Sequence, residues 1–199
     1  KIINHRILYN IKAMDPISNK KEFEDLTANL RDLAYTYIEK YSPSKQQIKT
    51  YLLKKYLKKF NGIKIKKEIT EIIDQIISNL EKNKLLNDEM YSDSKARMFL
   101  RRGYSLNKIN KSLRSKGIED KYVKQSIEKI KEDQIEPDFV SALKLCKRRR
   151  IGPLRPESNR ELFYKKDMGI LARGGFSYDL SKRVLDLESD EFYKLLRLI

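Results

Sequence analysis

Apolar residues recur at three- and four-residue intervals along most of the chain, the period of helices that bury one face. In NLRDLAYTYIEKY, Leu30, Leu33, Ala34, Tyr37, Ile38 and Tyr41 fall on one such face. The next segment, SKQQIKTYLLKKYLKKF, opens with Ser44-x-x-Gln47, the pattern of a capping box, and continues through Ile48, Leu52 and Tyr56. In KEITEIIDQIISNL the stripe is Ile69, Ile72, Ile73, Ile76, Ile77 and Leu80. Seven glycines and five prolines are few and scattered. That argues for long uninterrupted helices and against a meander of strands and turns. The pattern predicts an all-α protein.

The chain repeats itself. At an offset of 58 residues Gly117, Ile118, Tyr122 and Ile127 align with Gly175, Phe176, Leu180 and Leu185, and upstream Leu113 aligns with Leu171. Each glycine stands where a helix end needs a positive φ. The residue after it, Ile118 or Phe176, is predicted to turn inward, and the next helix starts under Glu119-Asp120 or Ser177. With DEMYSDSKARMFLRRGY opening the second unit and PDFVSALKLCKRRR the third, the reading is nine helices in three units. A three-helix unit of this size has a marginal core by itself, so neighbouring units should lean on one another in an elongated tandem array of three-helix bundles. The expected divisions are an N-terminal extension over 1–27, then repeats over 28–84, 85–135 and 136–199, with junctions near KNKLLND and EDQIEPD. The extension KIINHRILYNIKA lacks a strong amphipathic pattern and is expected to be partly flexible, with Met14 as a candidate natural start.

Charge adds a direction. The chain holds 44 basic and 28 acidic residues, a formal charge of +16, and mean hydropathy is −0.68. The excess is spread: +1 over 1–27, +6 over 28–80, +5 over 81–135 and +4 over 136–199. An even spread suits an extended surface that follows a long polyanion or filament, where a basic tail would have concentrated the charge. No run of eighteen apolar residues and no signal-peptide pattern occurs, and there is one cysteine, Cys146, in a Leu-flanked helical setting that reads as core. A cytoplasmic protein without a membrane role is expected.

No catalytic constellation emerges. Phosphate-binding glycine loops are missing, and His5, the single histidine, has no partner at ligand spacing. Asp88, Glu89 and Asp93 are the one set that could hold Mg2+, but acids in a first turn are read as caps and dipole partners. Asp186, Glu188, Asp190 and Glu191 read as helix punctuation or a solvated face. The 12 tyrosines are similarly weighed: Tyr35, Tyr37, Tyr51, Tyr56 and Tyr122 take core spacing, while Tyr104 and Tyr178, beside turns, are candidates for contact with a ligand.

Four motifs carry a family resemblance: LLNDEMY (85–91), LRSKGI (113–118), RRRIGPLR (148–155) and ARGGFSYD (172–179). In this order and spacing, over roughly 26 to 187, the chain resembles the regulatory protein RecX family, and the last two motifs are similar to the alphaproteobacterial form. It departs from the family pattern at Asn87-Asp88, where two aspartates are usual, and at Gly174, where Arg-Arg-Gly-Phe is common. The resemblance implies tandem three-helix bundles that bind the recombinase RecA, lie along the groove of its DNA filament and limit its activity, with no catalysis and no cofactor or metal.

The candidate interface is basic. Arg101, Arg102, Lys108, Lys111, Arg114 and Lys116 belong to the first two helices of the middle repeat. Lys147, Arg148, Arg149 and Arg150 form the densest cluster, followed by Arg155 and, in the last motif, Arg173. Arginine suits bidentate contact to phosphate or carboxylate; for any one position a solvated helix face is the competing reading. The expected partners are RecA and the DNA phosphate backbone, engaged by a monomer. A general helix-turn-helix DNA binder and a helical adaptor without a nucleic-acid role are the alternatives. Against the first, the helix after Gly117 begins with Glu119 and Asp120, where a recognition helix presents base- or phosphate-binding residues.

Overall fold

The computed structural model describes residues 20–57 and 63–198, and these form an all-α protein. The expectations for the segment before Met14, and His5, lie outside the described residues. Ten α-helices are present among them: α1 Lys20–Tyr41, α2 Lys45–Leu57, α3 Ile63–Lys82, α4 Asp88–Arg101, α5 Leu106–Arg114, α6 Asp120–Asp133, α7 Pro137–Arg149, α8 Glu157–Gly174, α9 Tyr178–Leu185 and α10 Ser189–Arg197. A single 3-10 turn, Gly152–Leu154, joins α7 to α8. The nine-helix expectation missed α10, whose Phe192 is fully buried, with Leu195 and Leu196 half-buried against the same core. Helix α1 starts at Lys20, inside the expected N-terminal extension, and Leu26 is already buried.

The chain divides into two compact units, 1–87 and 88–199. In the first, α1, α2 and α3 enclose one core built on Leu30, Ala34, Ile48, Leu52, Ile69 and Ile73. The capping box closes as read: the Ser44 N–H donates to Gln47 Oε1 at 3.1 Å and the Gln47 N–H to Ser44 Oγ at 3.2 Å. Tyr37 and Tyr51 stack at 4.1 Å between centroids, half-buried at the edge of this core. Tyr35 and Tyr41 are exposed, contrary to the core spacing read for Tyr35 and the stripe drawn through Tyr41, because a half-polar helix buries a face narrower than its apolar content.

In the second unit the buried side chains form two clusters. Tyr91, Ala96, Phe99, Ile109, Leu113 and Val123 centre one among α4, α5 and α6. Leu143, Cys146, Leu171, Phe176, Val184 and Phe192 centre the other among α7 to α10. Each fully buried Leu or Ile contributes about 1.5–3 kcal/mol relative to exposure. Burial pushes the Cys146 thiol up to about 12, with the Asp167 carboxylate adding to the shift, so this sulfur is core and not a nucleophile.

The paired glycines behave alike. Gly117 and Gly175 hold φ of +75° and +90°. In each turn the glycine N–H and the following N–H close a double hook on the helix: Gly117 to Arg114 O and Ile118 to Leu113 O, Gly175 to Ala172 O and Phe176 to Leu171 O. Ile118 and Phe176 are both buried. Ser177 Oγ caps α9 by accepting from the Leu180 N–H at 3.3 Å, while Glu119 makes no side-chain cap to α6. The same hook closes α7 with an arginine in the glycine's place: Arg150 stands at φ +53°, its N–H on Lys147 O and the Ile151 N–H on Cys146 O.

Candidate interface groove

Helices α5, α7 and α8 enclose a groove of about 310 Å3. Lys108 from α5, Arg148 and Arg149 from the last turn of α7 and Arg173 from the last turn of α8 line it, with Tyr104, Leu145, Ile170 and Gly174 completing the walls. Four of the basic positions singled out in the sequence are thus brought together from segments up to 65 residues apart.

The assembly rests on where α5 begins. Ser105 is its N-cap, accepting from the Lys108 N–H at 3.1 Å. The next free amide, Leu106 N–H, donates at 2.7 Å to Asp138 Oδ1 on α7, and burial raises the Asp138 pKa against the effect of that bond. The Ser105 N–H donates to Gly174 O at 3.2 Å, and Lys108 Nζ donates to Arg173 O at 2.6 Å. The electropositive start of α5 therefore satisfies the electronegative end of α8, two sets of orphan groups that would otherwise need water.

Two glycines permit this approach. A Cβ on Gly103 would lie 2.8 Å from both Leu145 N and Ser141 O, so the α4–α5 turn rests directly on the α7 backbone. One on Gly175 would collide with Ser105 Oγ. Gly174, where the family pattern often has arginine, has no room for a side chain either: a Cβ would lie 2.8 Å from the Phe176 ring and 2.9 Å from Leu145 Cδ2.

Basic last turns also complement the helix dipole, so part of this charge serves α7 and α8 themselves. Among the described lining residues, however, no carboxylate answers Lys108, Arg148, Arg149 and Arg173 within the groove. Tyr104 is committed inside the protein: Phe99 stacks on its ring at 5.5 Å, and Lys108 Nζ stands 4.6 Å from its centroid. Of the two tyrosines marked for contact, Tyr178 is the exposed one.

The remaining candidates fall elsewhere. Arg101, Arg102, Lys111, Lys147 and Arg150 are exposed but do not line the groove, and Lys116 is half-buried. Arg114 is exposed and pairs with Asp120 at 3.2 Å, across the turn that begins α6. Arg155 differs from its expected role. Its Nε and Nη2 grip the two oxygens of the buried Asp167 at 2.6 and 2.7 Å, and its guanidinium lies 4.4 Å from the Phe163 centroid. Asp167 also accepts the Gly152 N–H at 2.9 Å. Arg155 is thus a clamp on the turn between α7 and α8, and its basicity is spent inward.

The candidate carboxylates likewise have structural work. Asp93 ties α4 to α6 through Lys129 Nζ at 2.6 Å and the Ser126 hydroxyl. Asp186 accepts from the Tyr164 hydroxyl at 2.9 Å. No group of three or more potential ligands is placed to hold a metal ion among the described residues. A larger cavity, about 550 Å3, lies along α8, and several of its polar lining residues are engaged within the protein: Asp167 with Arg155, Arg160 with the Leu185 and Leu187 carbonyls at 3.1 and 2.6 Å, Tyr164 with Asp186. Among the described residues no helix is long and apolar enough to cross a membrane.

Fold and groove define an all-α protein with four basic side chains around one groove. A regulatory protein RecX of Myxococcus xanthus is 31% identical over 160 residues, which cover 79% of this chain and 84% of that protein. The chain belongs to the RecX family of regulatory proteins, whose members are named as regulators and not as enzymes. A RecX of Streptococcus uberis is 28% identical over 165 residues and one of Corynebacterium efficiens 31% over 124; this chain spans 57% and 58% of their lengths. A crystal structure of regulatory protein RecX shares the fold, with a TM-score of 0.51 at 22% identity over 92% of this chain and 86% of that one. No family model matches the chain.

Proposed function

We propose that the chain binds the RecA recombinase and its filaments on single-stranded DNA, and restrains their activity in recombination and repair by occupying them, as a cytoplasmic monomer. The observation that supports this most is the gathering of Lys108, Arg148, Arg149 and Arg173 around one groove without an answering carboxylate. Such a groove suits a phosphate backbone, and the evenly spread basic residues suit a partner that extends beyond it. Family membership supplies the regulatory context. The helix-turn-helix alternative is weaker, because Glu119 and Asp120 stand at the start of α6 and the latter pairs with Arg114 across the turn.

The test is RecA's DNA-dependent ATP hydrolysis with this protein added below stoichiometry. Inhibition is expected, and it should be lost when Arg148→Glu and Arg149→Glu are combined at unchanged helical content. No effect of the wild-type protein at any ratio would sink the proposal. Four phosphate contacts on a single strand would give a log–log salt slope of about −2.8, or roughly a fiftyfold loss in DNA affinity between 50 and 200 mM salt.

A further inference from the structure

We propose that the first unit carries a stacking platform for an unpaired nucleic-acid base, with Tyr41 as the ring that takes it. The platform shares no residue with the basic groove. Helices α1 and α2 present the same short pattern on facing flanks: Tyr37, Lys40 and Tyr41 stand at i, i+3 and i+4 at the end of α1, and Tyr51, Lys54 and Lys55 do so along α2. That spacing puts each leading tyrosine and its two followers on one side of its helix. The Tyr37 and Tyr51 rings join the two flanks, stacked at 4.1 Å with 11° between their planes. Tyr41 extends the row, 4.9 Å from Tyr37 at a tilt of 48°.

The three rings are not equivalent. Tyr37 and Tyr51 pack half-buried against the core of the unit and hold the seam between α1 and α2. Tyr41 lies outside that core and is 54% exposed. A ring oriented by one aromatic neighbour and otherwise open to solvent loses little freedom when a base stacks on it.

The lysines supply the charge. Helix α2 has four and no acid. Lys45 and Lys49 are answered from α3, by Glu81 at 2.9 Å and Asp74 at 2.5 Å. Lys54 and Lys55 are exposed and form no ion pair among the described residues, and the same holds for Lys40, whose Nζ lies 5.4 Å from the Tyr41 centroid. The paired cations thus face α3, and the unpaired ones flank the tyrosines. Their last-turn positions also complement the helix dipoles, which explains the charge but not the open ring beside it. Cations for the phosphates and an aromatic face for a base are what a single strand requires; a duplex, with its bases already stacked, and a polyanion without bases would use the lysines alone.

The chain contains no tryptophan, so Tyr41→Trp places a single indole reporter on the platform of the full chain. Its emission should fall on adding oligo-dT and stay constant with an abasic strand of equal length or with polyglutamate. By fluorescence anisotropy, Tyr41→Ser should bind labelled oligo-dT about tenfold more weakly at an unchanged salt slope and melting temperature, and should bind the abasic strand like wild type. Lys54→Gln combined with Lys55→Gln should instead reduce the slope by about 1.4. Indole emission unmoved by saturating oligo-dT, or quenched equally by the abasic strand, would overturn the proposal, as would wild-type affinity in Tyr41→Ser. Quenching should persist in a protein that also carries Arg148→Glu and Arg149→Glu; its loss there at saturating strand would overturn the platform as a separate site. Because those two arginines are untouched in the Tyr41 variants, failure of the platform and failure of the groove give different results.

Discussion

Replacing Asp167 with alanine tests whether Arg155 belongs to the clamp or to the interface. The carboxylate is 1% exposed and accepts three hydrogen bonds, two from the Arg155 guanidinium and one from the Gly152 N–H. Its removal strands a guanidinium that is only 19% exposed and an amide in the interior. Breaking one partner of a buried pair costs about 3–5 kcal/mol, because the remaining charge has neither water nor counterion. Against a total stability of about 5–15 kcal/mol that is a large share, and for a unit of this size it lowers the melting temperature by roughly 10–20 °C. Arg155→Met with Asp167→Leu should recover part of the loss, since removing both partners leaves no stranded charge. Calorimetric melting of the three proteins measures this, and oligonucleotide affinity below the melt should be unchanged in Arg155→Met with Asp167→Leu. A Asp167→Ala protein that melts within about 2 °C of wild type, or a double variant that has lost affinity, would refute the reasoning.

Two further outcomes follow from single residues. Arg150 holds a left-handed conformation that costs a non-glycine residue about 1 kcal/mol, so Arg150→Gly should raise stability by about that amount in urea titration while leaving binding in the groove intact. For Asp93, partial burial raises its pKa, but the bonds from Lys129 and Ser126 and the nearby Arg97 charge outweigh this and hold it below the usual aspartate value. A folded pKa below the unfolded one gives stability that is present above the unfolded value near 3.8 and is lost as the pH falls through the folded one. Asp93→Asn should therefore flatten that acid limb of a stability–pH curve.

Much of the helical plan was legible before any coordinates. The six apolar positions from Ile69 to Leu80 are all buried, the Ser44–Gln47 box closes, and Gly117 and Gly175 end their helices identically. These depend on neighbours three or four residues away, so local spacing contains the information. Helix α10 escaped because its core-facing residues, Phe192, Leu195 and Leu196, span little more than one turn, too short a stripe to register a period.

The groove was legible in its residue types but not in its membership. Twelve basic positions were equivalent as a list; the fold put Lys108, Arg148, Arg149 and Arg173 around one space, turned Arg155 onto Asp167, and paired Arg114 with Asp120. Leu145, Ile170 and the anchoring Asp138 carried no signal, since an acid beside Pro137 reads first as a cap for its own helix. By itself the sequence determined the all-α class, the recurring glycine turns and the excess of positive charge, because each follows from composition or from short-range spacing. Only the tertiary structure decided which cations line one groove and which are consumed within the protein. That choice depends on contacts between residues tens of positions apart, where a carboxylate such as Asp167 either reaches a guanidinium or leaves it free.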